Sequence, residues 1–401
     1  MNKRQVIILW CIALVLGAAV ATVKLSQKKA TDISTRRTPG QTLFESFPAN
    51  EVATVEIRGV KGTTTLVKKD GAWVIPDRSG YPAKSSVVNE FLRSLADLKV
   101  TRGMEAGPSL APRFGMDESA TTAEAHGLTA TFKDGSGKEL AAITLGKNVD
   151  NGAQANPMMG GFSGRFIRNQ ADDSGFYAVS ELFPEITDGT ANWLAPDFLS
   201  VEKIRSVTVS QPGKTDTDWK ASRTDESAGF KLENSTETLA KEKDTALKSL
   251  FSYSSFVDVP PAATVAARIL PETTRKVVIE TFEGFTYQIT LSSAKPVEAA
   301  PEPGQPARET AFLTVEVSAT LPTERKKEAN EKPEDATAKD QAFTARLKTL
   351  TEKLEKEKKF SGHTFEIEKQ NVETLLLPRK EVLMVPAPAT AQPPAAVPGN
   401  P

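Results

Sequence analysis

The fold is decided by residues 63–100, which read TTTLVKKDGAWVIPDRSGYPAKSSVVNEFLRSLADLKV. Asp70-Gly71 lies between two β-rich runs, and this dipeptide predicts a tight hairpin because glycine adopts a positive φ at little cost. A helix is predicted next, with Ser85 or Ser86 able to cap its first turn. Its apolar residues fall on one face at a 3.6-residue period: Val87, Val88, Phe91, Leu92, Leu95 and Leu98. Because an isolated hairpin is only marginally stable, we expect the helix to pack on it.

A second hairpin follows this unit. Two apolar runs, residues 128–132 and 140–145, flank residues 133–138, which read KDGSGK. The glycines again favour a turn between two antiparallel strands.

The same order of elements returns in the second half of the chain. Residues 198–209 resemble the first strand region, and residues 244–256 repeat the helix with Leu247, Leu250 and Phe251 on one face. Residues 276–291 repeat the second hairpin around Glu283-Gly284. A preserved order of elements indicates a tandem duplication.

We therefore predict an α+β fold with two diverged tandem modules, residues 46–197 and residues 198–384. Each module is expected to combine antiparallel β-hairpins with a packed amphipathic helix. Trp73 and Trp219 are interpreted as core residues at related places in the two modules.

The N-terminus reads as a membrane anchor. Residues 6–23, VIILWCIALVLGAAVATV, carry no charge and follow a short basic tail at residues 1–5. As a helix this run would span about 27 Å, close to the roughly 30 Å hydrocarbon thickness of a bilayer. A cleaved signal peptide is the alternative, because Ala19-Val20-Ala21 resembles an Ala-x-Ala site. The length of the run and the lysine that follows it, Lys24, favour a single-pass transmembrane helix.

The orientation of this anchor does not follow from charge alone, because basic residues flank it on both sides. Long domains are translocated largely regardless of charge. We predict that the bulk of the chain lies outside the bacterial cytoplasmic membrane, in the periplasm, joined to the anchor by a polar linker at residues 24–45.

Three further segments are polar or rich in proline. Residues 294–310 and 322–340 have too little apolar content to fold alone and are predicted to be disordered insertions. Residues 385–401 are a disordered tail rich in proline and alanine. Residues 339–360 read as a charged helix with Phe343, Leu347, Leu350 and Leu354 on one stripe. Packing on its own module is favoured for this stripe over binding to a partner.

Composition excludes several kinds of function. The 401 residues carry 50 basic and 51 acidic side chains, and a net charge of -1 does not favour nucleic acid as a partner. Cys11 is the single cysteine, which excludes intrachain disulfides. The two histidines, His126 and His363, lack partners at metal-ligand spacing and are expected to be exposed near strand ends. We assign no catalytic residue, no cofactor-binding residue and no metal ligand.

Several short motifs carry a resemblance to a known family. They are Lys69–Trp73 with Ile75, Tyr81-Pro82-Ala83-Lys84, Phe114-Gly115-Met116 and Phe365-Glu366-Ile367. With these and its N-terminal anchor, the chain resembles a bacterial membrane-anchored family of unknown function, often encoded beside gliding-motility-type ABC transporter subunits. The long charged and proline-rich insertions depart from the usual pattern of that family. The resemblance implies an envelope protein that works beside an ABC-type export or surface-assembly system, and it supplies no catalytic residue.

The functional prediction is therefore a non-enzymatic accessory or scaffold subunit of an ABC-transporter-like envelope complex. Its expected partners are ABC-type permease or auxiliary membrane subunits. The alternative is an extracytoplasmic binding module that recognises a cell-wall glycan or peptide. An envelope hydrolase is the least favoured hypothesis.

Overall fold

The computed structural model describes residues 35–150, 162–214, 217–235, 239–252, 254–296, 308–325 and 333–383. The chain divides into two compact units, residues 1–195 (unit 1) and residues 196–401 (unit 2). Each unit has its own antiparallel sheet, and the fold is α+β.

Unit 1 contains a nine-stranded sheet with the strand order β4-β3-β2-β1-β6-β7-β8-β9-β5. Its elements are β1 (Thr54–Gly59), β2 (Gly62–Lys69), β3 (Ala72–Ile75), β4 (Tyr81–Pro82), α1 (Ser85–Ala96), β5 (Val100–Met104), α2 (Ala123–His126), β6 (Leu128–Lys133), β7 (Glu139–Asp150), β8 (Phe162–Asn169) and β9 (Phe176–Val179). Short 3₁₀ turns lie at Pro76–Arg78, Pro108–Phe114 and Thr190–Trp193.

The predicted hairpin and helix are both present in unit 1. Lys69 pairs with Ala72 across a two-residue turn in which Asp70 and Gly71 have φ values of 51° and 82°. Two positive φ values match the twist that joins adjacent antiparallel strands. The buried face of α1 consists of Val88, Phe91, Leu92 and Leu95.

The start of α1 differs from the prediction. Neither serine caps the helix, and the N-cap residue is Lys84. Ser85 Oγ instead accepts a hydrogen bond from the backbone N–H of Trp73 at 3.2 Å, while Trp73 Nε1 donates to Asn89 Oδ1 at 2.9 Å. The hydroxyl is used to tie β3 to the helix, which leaves it unavailable as a cap.

Residues 35–45 belong to the folded unit, and the prediction of a linker over residues 24–45 is wrong for this part. Leu43 is fully buried, and its N–H donates to the carbonyl oxygen of Leu98 at 2.7 Å. Gly40 N–H donates to the carbonyl oxygen of Val100 at 2.8 Å. Apolar residues at the end of this stretch pack on the sheet, so it is ordered against unit 1. We call residues 35–45 the N-terminal strap.

Unit 2 contains a seven-stranded sheet with the strand order β12-β11-β10-β13-β14-β15-β16. Its elements are β10 (Ile204–Ser210), β11 (Thr217–Ser222), β12 (Lys231–Leu232), α3 (Lys241–Lys248), α4 (Ala262–Arg268), β13 (Arg275–Thr281), β14 (Phe285–Ser293), β15 (Thr310–Ala319), α5 (Pro333–Lys358), β16 (Phe365–Glu368), α6 (Glu373–Leu376) and α7 (Arg379–Val382).

The two sheets share one strand order. Without β4 and β5, unit 1 reads β3-β2-β1-β6-β7-β8-β9, and unit 2 reads β12-β11-β10-β13-β14-β15-β16. In unit 2 the first helix, α3, follows the third strand, β12. In unit 1 the first helix, α1, follows the third strand β3 and the short additional strand β4. A tandem duplication would produce this agreement.

Two details of the predicted repeat are wrong. Trp73 lies on β3, whereas Trp219 lies on β11, which corresponds to β2. Both indoles are buried, as predicted, but they are not equivalent, because they lie on opposite strands of their hairpins. The helix predicted at residues 244–256 ends at Lys248, and the buried Leu250 and Phe251 follow it.

The predicted insertion at residues 322–340 is also partly wrong. Residues 333–340 form the first turns of α5. Pro333 occupies the first helical position, where its missing N–H costs nothing, and alanines follow it. Leu350 is the buried member of the predicted stripe, while Phe343, Leu347 and Leu354 are half-buried.

The described residues include no helix that is both long and apolar enough to cross a membrane. The anchor predicted at residues 6–23, the tail at residues 385–401 and most of the insertion at residues 294–310 lie outside the described residues.

Candidate functional site

A groove of about 680 Å³ runs along α1 in unit 1. One wall is the helix, and the other is the chain that follows β9, residues 180–186. The helix contributes Ser86, Val87, Glu90, Phe91 and Ser94. We call this surface the α1 groove. It exists because the apolar stripe of α1 is wider than its contact with the sheet, which leaves Val87 half-buried at the edge.

The floor of the α1 groove is apolar. Phe91 and Phe183 meet edge to face with ring centroids 5.4 Å apart, and Ile186 is buried beside them. Phe183 has a φ of 52°, a conformation that is uncommon for an aromatic residue. Ile186 N–H donates to the carbonyl oxygen of Phe183 at 3.2 Å and closes the turn. No α-helix forms over residues 182–194, where this turn is followed by the 3₁₀ turn Thr190–Trp193.

A half-buried arginine holds the second wall in place. Arg165 Nε donates to the carbonyl oxygen of Gly146 at 2.8 Å, and Nη1 donates to the carbonyl oxygens of Leu182 and Phe183 at 3.1 and 3.4 Å. Burial lowers the pKa of Arg165 to about 10, so the guanidinium stays charged at neutral pH. Charged donors form strong hydrogen bonds to backbone carbonyls. The wall is therefore fixed before anything binds.

The rim of the α1 groove is acidic. Glu90, Glu181 and Glu185 are exposed around the apolar floor, and no Lys or Arg is among the residues that line it. Arg93 Nη1 contacts Glu90 Oε2 at 3.1 Å from outside the groove. The charge of Glu90 is therefore partly offset by Arg93, whereas Glu181 and Glu185 lie on the second wall and face solvent.

Unit 2 has a cleft at the corresponding position, beside the segment that follows its last strand. This cleft of about 290 Å³ is lined by Phe198, Ala246, Ser249, Phe251, Ser254, Ser255, Ile367, Gln370 and Asn371. None of these side chains is charged. The two units therefore place chemically different surfaces at equivalent positions of their folds.

The N-terminal strap is fastened near a buried tyrosine. Tyr177 Oη donates to Asp172 Oδ2 at 2.5 Å and accepts from the N–H of Arg37 at 3.2 Å. Arg36 N–H donates to Ser174 Oγ at 2.7 Å. Burial and the bond to Asp172 raise the pKa of Tyr177. Burial acts to raise the pKa of Asp172, but hydrogen bonds from Ser174 and Tyr177 outweigh it and lower that pKa.

A buried carboxyl group pins the end of α5 in unit 2. Glu357 Oε2 accepts from Tyr287 Oη at 2.7 Å, and Oε1 accepts from the N–H of Ser200 at 3.1 Å. Burial raises the pKa of Glu357, and burial together with the Glu357 carboxylate raises the pKa of Tyr287. These bonds join the C-terminal part of α5 to β14, which carries Tyr287, and to the backbone at Ser200.

A second buried carboxylate lies on β16. Glu366 accepts two hydrogen bonds from Arg268, at 2.9 and 2.7 Å, and one from Thr310 Oγ1 at 2.6 Å. The guanidinium also lies 5.4 Å from the ring centroid of Phe312. This bidentate pair joins α4 to β16.

The two histidines are both half-buried, and the expectation that they are exposed is wrong. His126 ends α2, and its Nδ1 lies 2.9 Å from the carbonyl oxygen of Gly127. His363 packs against the ring of Phe365, and burial lowers its pKa. Within the described ranges, no three His, Cys, Asp or Glu side chains form a group that could hold a metal ion.

Sequence reasoning did not find the α1 groove. The signal that could have indicated it is the run Glu181-Leu182-Phe183-Pro184-Glu185, in which apolar residues are bracketed by carboxylates next to a proline. Such a run suits neither a buried strand nor a solvated loop.

The fold and its groove define an α+β protein built on antiparallel sheets. Residues 73–268 match the family described as "Domain of unknown function (DUF4340)", so the chain contains a DUF4340 domain. The matched region begins in β3, ends at the last residue of α4 and includes both walls of the α1 groove. No curated protein and no solved structure matches the chain.

Proposed function

We propose that this protein is a non-enzymatic accessory or scaffold subunit of an ABC-transporter-like envelope complex. Residues 6–23 would hold it in the bacterial cytoplasmic membrane, with its two tandem modules on the extracytoplasmic side. The observation that carries the proposal is the α1 groove, an apolar surface with fixed walls that is open to solvent.

The construction of the groove suits the binding of a protein segment. Apolar grooves beside a helix are a common place for partner segments to bind, because the anchoring side chains leave water. Binding to a preorganised surface avoids the entropic cost of ordering its side chains and backbone. Arg165 supplies that order by holding the carbonyl groups of the second wall.

The kind of complex proposed rests on the predictions from the sequence. The predicted anchor and the short motifs shared with a membrane-anchored family favour ABC-type permease or auxiliary subunits as partners. A membrane-anchored scaffold needs a compact folded body and a binding surface, and unit 1 offers both.

A second candidate function is supported by the cleft in unit 2. Its hydroxyl and carboxamide side chains, beside the buried Phe198 and Phe251, are uncharged groups of the kind that hydrogen-bond to a sugar. This favours an extracytoplasmic module that recognises a cell-wall glycan or peptide. A thermal shift with defined glycan fragments, lost on Asn371→Ala, would support it.

Affinity purification tests the first proposal. The full-length protein is purified from its native membrane in mild detergent, beside an anchorless control that begins at Lys24. We expect ABC permease or ATPase subunits to accompany the full-length chain and to be reduced with the control. If the full-length chain is recovered without a membrane partner, the accessory function is wrong.

A further inference from the structure

We propose that the α1 groove binds a cationic, amphipathic segment of the partner protein, with apolar side chains on one face and Lys or Arg along its edges. This inference rests on the proposed accessory function and specifies the chemistry of the partner.

The apolar part of the segment is set by the floor. Phe91, Phe183 and Ile186 form a buried base, and Val87 and Leu182 are half-buried on the two walls. The helix wall runs from Ser86 to Ser94, about 12 Å at 1.5 Å per residue. That length matches about two turns of a helix or about four residues of an extended chain, so two or three apolar side chains can reach the floor.

The charged part of the segment is set by the rim. Three carboxylates, those of Glu90, Glu181 and Glu185, surround the floor, and no basic side chain lines it. Glu90 on the helix edge already contacts Arg93, so a segment with Lys or Arg beside its apolar face gains most of its attraction at the second wall, from Glu181 and Glu185. An acidic segment is repelled there. The cleft of unit 2 has no charged lining residue, so this preference belongs to unit 1 alone.

Site-specific photocrosslinking in native membranes tests the inference. A benzoylphenylalanine replaces Ser94 on the helix wall of the full-length chain, and the same amino acid replaces Lys68, an exposed residue of β2 outside the groove, as a control. The crosslinked peptide is identified by mass spectrometry. We expect the Ser94 position to capture a partner segment with at least two Lys or Arg residues beside apolar ones.

Rim variants supply the second readout. The double variant Glu181→Gln/Glu185→Gln should lower the Ser94 crosslink yield about fivefold and make it less sensitive to salt, since only Glu90 then remains on the rim. The matched pair Glu105→Gln/Glu139→Gln, exposed elsewhere in unit 1, should leave the yield unchanged.

The outcomes separate the two proposals. Three results would overturn the inference and leave the accessory function standing, provided that a partner co-purifies. The partner crosslinks only at Lys68, it crosslinks through a segment without basic residues, or it crosslinks equally well in the rim variant. A crosslink to residues 24–34 of the chain itself, or to a small molecule, overturns it as well. If no partner co-purifies and Ser94 captures nothing, both proposals are wrong.

Discussion

Replacing Tyr177 with Phe tests how the N-terminal strap is held on unit 1. The hydroxyl of Tyr177 joins two sets of contacts: it donates to Asp172 within the unit and accepts from the N–H of Arg37 on the strap. The substitution removes one oxygen atom and keeps the ring, which is fully buried. Its effect on the strap can therefore be separated from an effect on core packing.

The magnitude follows from which bonds survive when the strap opens. The bond between Tyr177 and Asp172 lies within unit 1 whether the strap is docked or released. Its loss therefore does not change the free energy of strap opening. What remains is the loss of the acceptor for Arg37 N–H, which leaves that group unpaired in the docked state. An unpaired buried donor costs about 1–2 kcal/mol. The population of the open strap should rise by about 5- to 30-fold.

Trypsin reports this opening, because Arg36 and Arg37 lie at the point of attachment. When opening is fast relative to cleavage, the cleavage rate follows the open population. We expect Tyr177→Phe to speed cleavage after Arg37 by the same factor, measured by intact mass spectrometry. Tyr287→Phe, which also removes a buried hydroxyl but from unit 2, should not change that rate. If Tyr177→Phe cleaves within twofold of the unaltered chain, the tyrosine does not hold the strap.

Three further predictions concern stability. Arg268→Met should destabilise unit 2 by about 3–5 kcal/mol in urea unfolding, because it leaves the Glu366 carboxylate buried without its cation, and adding Glu366→Gln should restore part of the loss. Because burial raises the pKa of Glu357, its stabilising contribution is present at low pH and is lost as pH rises through the folded-state pKa. Glu357→Gln should therefore raise the melting temperature at neutral pH and flatten its pH profile, and an unchanged profile would contradict this. Gly164→Ala should cost unit 1 about 1–3 kcal/mol, because φ is 154° and a Cβ would clash with β9, while Gly107→Ala, in open space, serves as control in the same thermal melts.

The parts of the fold that the sequence predicts well are the local ones. Asp70-Gly71 defines its hairpin through two adjacent residues, and α1 shows its periodicity over three turns. Both signals depend on neighbours within a few positions, so no tertiary information is needed to interpret them.

The parts that sequence reasoning missed depend on distant contacts. β5 pairs with β9 through Arg102 and Ala178, far apart in the chain, and no local pattern carries that register. The α1 groove needs both α1 and the turn at Phe183, and that turn is held by Arg165 from a third segment. The mismatch between Trp73 and Trp219 has the same origin, because a short motif does not say which strand of a hairpin it occupies.

If residues 6–23 anchor the chain in a membrane, the docked strap also limits how far unit 1 can move. It shortens the connection to the predicted anchor from residues 24–45 to residues 24–34, which are eleven residues. At most about 3.6 Å per residue, this tether reaches about 40 Å. With residues 6–23 in a bilayer, the attachment point of unit 1 would stay within a hemisphere of that radius. A membrane protein inside it would meet the α1 groove at an effective concentration on the order of 10 mM, so even a weak, readily reversible contact would be largely occupied.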